Sequence, residues 1–185
     1  MDRLRLFLKC IFMLCCLFGP HASFAVDKQV LDRLFADLSQ AEPHEVSVIE
    51  QDIMAELARS GSDAMDLLLE RGRDALAMGD SQMAIDHLTA LVDHAPNFAE
   101  GYNSRATAYF MSGYFGLSMQ DIAKTLTLEP RHFGALSGMA QIFVELDRPA
   151  KARDVLLEIQ NINPQMEGLL ARIEQLDLVL EGTAL

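Results

Sequence analysis

Residues 99–132 read AEGYNSRATAYFMSGYFGLSMQDIAKTLTLEPRH. Two amphipathic helices account for this stretch. Tyr102, Ala106 and Tyr109 recur at helical spacing in the first half, and Ile122, Leu126 and Leu128 in the second. The spacing predicts one helix over 100–111, a turn at Ser112 and Gly113, and a second helix over 115–128. Pro130 stops the second helix, because proline offers no amide donor and crowds the preceding turn.

The pattern occurs three times in step. Pro96, Pro130 and Pro164 are each 34 residues apart. In the copy over 65–98 the helical pattern runs through Leu68, Gly72, Ala75, Ala84, Leu88 and Leu91. The same slots hold Tyr102, Ala106, Tyr109, Ser118, Ile122 and Thr125 over 99–132, and Leu136, Ala140, Phe143, Ala152, Leu156 and Ile159 over 133–166. Two slots stay small: Gly72, Ala106 and Ala140 in one, Ala84, Ser118 and Ala152 in the other. Small side chains repeated at fixed places mark close approach of helices, where an added methylene costs about 1–3 kcal/mol.

This period and slot pattern resembles the tetratricopeptide repeat (TPR), whose unit is a 34-residue helix–turn–helix. The resemblance implies an all-α, right-handed α-solenoid of antiparallel helix hairpins, with repeats at 65–98, 99–132 and 133–166. Arg71 and Arg105 stand where the family usually has Leu, so their stems are expected to pack while their heads reach water.

On either side the pattern loosens. Residues 26–64 form a weaker hairpin, with Val30, Leu31, Leu34, Phe35 and Leu38 on one stripe and Val46, Ile49, Ile53, Met54 and Leu57 on the other. It is either a degenerate first repeat or a cap over the open end of the stack. After Pro164 a closing helix is expected over 165–180, with a frayed tail to Leu185. Gly79 and Gly113 suit the left-handed turn between the helices of a pair, Asp147 less well, and Pro149 suits a first helical turn.

Residues 1–25 read as a secretory signal peptide. Arg3, Arg5 and Lys9 precede an apolar core over 10–18, and Ser23 and Ala25 place small residues for cleavage after Ala25. The expected location is therefore the periplasm of a bacterium; the alternative is anchoring to the inner membrane by an uncleaved segment. All 3 cysteines, Cys10, Cys15 and Cys16, lie in that segment, so the processed chain would hold neither disulfide nor thiolate ligand.

The net charge of −12 speaks against nucleic acid, which needs a basic face. No Gly-x-Ser-x-Gly, phosphate loop or His-Glu-x-x-His occurs. His87 and His94 share a helix face but stand about 10 Å apart along it, too far for one metal. No metal, cofactor or catalytic residue is assigned, and an enzyme is the least favoured reading.

The resemblance implies a concave groove lined by the first helices. Its slots hold Asp66, Leu69, Arg73, Leu76 and Ala77, then Glu100, Asn103, Thr107, Phe110 and Met111, then Gly134, Ser137, Gln141, Val144 and Glu145. Arg73, Asn103, Thr107 and Gln141 can hydrogen-bond an extended backbone or a carboxylate, and Phe110 can take an apolar anchor. The cationic clamp that some TPR domains use for acidic chaperone tails is missing: its places hold Leu69, Arg73, Ser104, Gly134 and Gly138. The expected function is a scaffold or adaptor that binds a protein or peptide in a cell-envelope complex. The alternative is a self-associating homo-oligomer with an empty groove.

Overall fold

The computed structural model describes residues 24–25 and 27–182; most of the expected signal peptide, and the tail 183–185, lie outside the described residues. The helices are α1 (Lys28–Gln40), α2 (Val46–Leu57), α3 (Asp63–Ala77), α4 (Ser81–His94), α5 (Ala99–Met111), α6 (Phe115–Leu128), α7 (Phe133–Glu145), α8 (Pro149–Ile162) and α9 (Leu169–Gly182). Strands β1 (Phe24–Ala25) and β2 (Ser60–Gly61) form one short antiparallel pair, with Ala25 opposite Ser60.

Helices α3 to α8 make three antiparallel hairpins stacked as a right-handed solenoid. The first helices α3, α5 and α7 touch one another in succession, more closely than the second helices do, and so line the inner, concave layer. Each hairpin closes with the same turn. The N–H of Asp80, Tyr114 and Arg148 returns 2.8 Å to the carbonyl of Ala75, Tyr109 and Phe143 respectively. The residue before each donor is left-handed: Gly79, Gly113 and, at φ 53°, Asp147.

The small slots are where the pairs cross. A Cβ on Gly72 would stand 2.5 Å from Leu88 Cγ across the α3–α4 crossing. Ala106 and Ala140 fill the equivalent places and are buried. In the second small slot Ser118 Oγ donates to the Ala106 carbonyl at 2.7 Å, so its hydroxyl is satisfied inside the same crossing.

Three features differ from the sequence reading. The Arg105 head turns inward rather than out to water: it grips buried Asp121 through two bonds of 2.7 and 2.9 Å and lies 5.7 Å from the ring centres of both Tyr102 and Tyr109. A buried carboxylate needs a paired cation, and a planar guanidinium meets it bidentately. The closing helix starts at Leu169, because residues 164–168 turn at Gly168 (φ 72°) and Gln165 reaches the Ala41 carbonyl at 2.6 Å.

The third difference concerns the N-terminal hairpin. Leu31, Phe35, Leu38, Val46, Ile53 and Leu57 share a core with Phe133, Leu136, Leu156, Ile159 and Leu169 of the far repeat and closing helix. Phe35 meets Phe133 edge-on at 6.4 Å, and Arg131 sits over Phe35 at 4.3 Å while pairing with Asp32 at 2.8 Å. Asn163 reaches Glu50 nearby. Two apolar stripes on one hairpin need an apolar partner, and the loop edge beside Phe133 supplies it.

The crossing at Gly72 yields a stability prediction. Gly72→Val is expected to lower unfolding free energy by about 2 kcal/mol or more, because Leu88 is fully buried and has no room to retreat. Urea titration of the variant checks this; a midpoint equal to wild type would contradict a tight crossing.

Candidate functional site

At the centre of the concave layer lies a buried carboxylate. Glu100, in the first turn of α5, is 2% exposed. Its Oε1 accepts from Arg73 of α3 at 2.7 Å and from Ser104 Oγ at 2.8 Å. Its Oε2 accepts from His132 Nε2 at 2.9 Å, and Asn103 Nδ2 reaches both oxygens at 3.2 and 3.3 Å. The His132 tautomer follows from its other nitrogen. Nδ1 accepts the Ala135 N–H at the start of α7, at 3.2 Å, so the proton sits on Nε2 and is donated to Glu100. One carboxylate thereby ties α3, α5 and α7 together.

Burial alone would raise the Glu100 carboxyl. The hydrogen bond from His132, then the charge and hydrogen bond of the Arg73 guanidinium, outweigh it and hold the carboxyl at about 2.

Beside this network, between α5 and α7, opens a cleft of about 140 Å³. Ala106, Phe110 and Ile122 supply its apolar wall, Gly134 and Gly138 leave space on the α7 side, and Asn103, Thr107 and Gln141 provide polar atoms. Phe110 is steadied by Phe115 at 5.5 Å. The structure thus brings Asn103, Thr107, Phe110 and Gln141 to one site. Arg73 is outside the cleft lining and is engaged by Glu100 instead. Ala25 lies in the β1–β2 pair and is not part of the cleft lining.

Sequence reasoning missed His132. Its slot holds Phe98 in the preceding copy and Met166 in the following one, both one period away. A histidine in an apolar slot signals a buried ring in need of a partner, and Glu100 supplies it. His94 is exposed in the last turn of α4. Among the described residues no three His, Cys, Asp or Glu side chains come together as a metal would require. Among them, too, no helix is long and apolar enough to cross a membrane.

No family model matches the chain. A TPR repeat-containing protein of Rhizobium etli is 41% identical over 116 residues, which is 62% of this chain and 57% of the relative. Over those residues the chain is similar to a TPR protein. It spans less than two thirds of the curated relative it matches. Solved TPR domains share the fold. The first TPR domain of Spaghetti (RPAP3), bound to an HSP90 peptide, superposes with a TM-score of 0.61 at 21% identity, over 65% of this chain and 98% of that one. The Arabidopsis OM64 TPR domain gives 0.59 at 19%, over 62% and 95%. The TPR2B domain of yeast Sti1, in complex with an Hsp70 peptide, gives 0.56 at 24%, over 62% and 94%.

The TPR core carries an acid-sensitive element. The folded Glu100 carboxyl lies near 2 against an ordinary 4.5, so the unfolded chain takes up the proton first as pH falls. Its contribution, about 3 kcal/mol at most, is complete above about pH 4.5 and is lost on the way to about pH 2. Urea unfolding of wild type and Glu100→Gln from pH 6 down to pH 3 is expected to show a stability gap that shrinks with acid. A pH-independent gap would exclude this assignment.

Proposed function

We propose that this TPR chain is a non-catalytic adaptor that holds a segment of a protein partner in the cleft between α5 and α7, within a bacterial cell-envelope complex. The observation that carries this reading is the cleft itself: an open apolar wall with polar atoms at its rim, at the centre of the concave layer. The RPAP3 and Sti1 domains named above were solved with chaperone peptides, which makes peptide binding by the same fold a consistent role here.

Export is part of the proposal. Asp27 caps α1 by accepting the N–H of Gln29 at 2.9 Å and of Val30 at 3.3 Å. A cut after Ala25 would therefore remove β1 and leave that helix cap whole.

Self-association is the second reading, favoured by the outer side of α9, where Leu170, Leu178 and Val179 are exposed. Light scattering separates the two: a monomer at all concentrations removes self-association, and a concentration-dependent dimer supports it.

Arg73→Glu is a poor probe of the groove, because it would set a second carboxylate against buried Glu100. Gly138→Leu is a better one. A Cβ at Gly138 meets only Ile122 Cδ1, at 3.6 Å, and the longer side chain fills the cleft. Replacing a helical glycine also adds up to about 1 kcal/mol of stability. The variant is expected to keep or raise the melting temperature while losing at least tenfold in partner recovered by crosslinking in intact cells. Full recovery by the folded variant would remove the cleft as the binding site.

A further inference from the structure

The direction of the hydrogen bonds around the cleft tells what it can recognise. Asn103 directs its NH2 to both oxygens of Glu100, and Gln141 gives one N–H to Glu145 at 2.9 Å. Each carboxylate demands a donor, so the orientation of both amides is determined, and each turns an unengaged carbonyl oxygen away from its carboxylate. Thr107 donates its hydroxyl hydrogen to the Asn103 backbone carbonyl at 3.2 Å, leaving Oγ1 as an acceptor. The polar atoms left for a ligand are therefore mainly acceptors: three oxygens, on Asn103, Thr107 and Gln141, against the second N–H of Gln141.

Charge agrees. The fifteen groove slots hold three acids, Asp66, Glu100 and Glu145, and one base, Arg73. That base is taken: Glu100 is buried, is held by four side chains, and pairs with Arg73 at 2.7 Å. Glu145 is exposed at the end of α7 beside Gln141. An arriving carboxylate meets no unengaged cation among these slots, whereas an arriving ammonium or guanidinium meets acceptors and Glu145.

We propose, resting on the cleft as the binding site, that the groove selects a basic segment. An extended peptide would seat one apolar side chain against Phe110 and Ile122 and set a neighbouring Lys or Arg toward the acceptor rim of Asn103, Gln141 and Glu145. The internal carboxylate of Glu100 occupies the one groove cation that an acidic tail would need.

The test uses three rhodamine-labelled nonapeptides that differ only in the flanks of a central Leu: Lys, Ser or Glu. Fluorescence anisotropy at low salt gives their affinities for wild type, Gly138→Leu, Glu145→Gln and Glu100→Gln, each first checked for folding by circular dichroism. The Lys-flanked peptide is expected to bind at least tenfold tighter than the Glu-flanked one, to lose that binding in Gly138→Leu, and to lose part of its advantage in Glu145→Gln, an exposed change that leaves the buried network alone. Glu100→Gln, by releasing Arg73, is expected to improve the Glu-flanked peptide several-fold. Equal or tighter binding of the Glu-flanked peptide to wild type would overturn the basic preference and leave the cleft standing. An unchanged Lys-to-Glu ratio in every folded carboxylate variant would overturn it as well. Absence of binding by all three peptides, or Lys-peptide binding that survives Gly138→Leu, would overturn the cleft reading and this inference with it.

Discussion

Close approach of paired helices is the constraint on which the rest depends. Gly72, Ala106 and Ala140 let each first helix lie against its partner, and the buried Leu88, Ile122 and Leu156 fill the opposite side of the crossing. Because the same small slot recurs every 34 residues, the pairs stack at a repeating angle and the first helices form one curved layer. The groove is a by-product of that repetition. Its position follows from which helix of each pair faces inward, and no single residue creates it.

Within the layer, Glu100 does something the repeat does not require. A buried ion pair adds little net stability once desolvation is counted, but it strongly penalises any geometry that leaves it unpaired. Here Arg73 lies in the first repeat, Glu100 opens the second, and His132 ends the second as the N-cap of α7, so the penalty acts on the angle between the first helices of successive repeats. The cleft beside them is held between helices whose relative placement is tied at the base. The same network balances the one base among the groove slots with a buried carboxylate, which links the packing of the core to the chemistry of the surface.

Repeat arrays ordinarily gain stability copy by copy from neighbouring contacts. This chain adds a tie across the array. The N-terminal hairpin packs on Phe133, Leu156 and Leu169, and Gln165 bonds the Ala41 carbonyl 124 residues away in sequence. Such a contact closes a long loop, whose entropy cost grows only slowly with length. The far repeat thereby gains a second apolar partner, while the first repeat keeps a separate core around Leu69, Leu88 and Phe98.

The repeat, its helices and its turns were legible in the sequence because they rest on local physics: apolar spacing near 3.6 residues, proline stops, and a left-handed turn residue at a fixed place. Helix α6 is read to the residue, and α5 differs only in beginning at Ala99. The resemblance to the repeat family put Asn103, Thr107, Phe110 and Gln141 on the groove side, and the structure lines one cleft with them. Arg73, Arg105 and His132 were not, because the partner that decides each of them, Glu100 or Asp121, stands 16 to 32 residues away on another helix. The docking of the N-terminal hairpin was hidden too: an apolar stripe announces that it will be buried, but which surface covers it is decided only when distant parts of the chain meet.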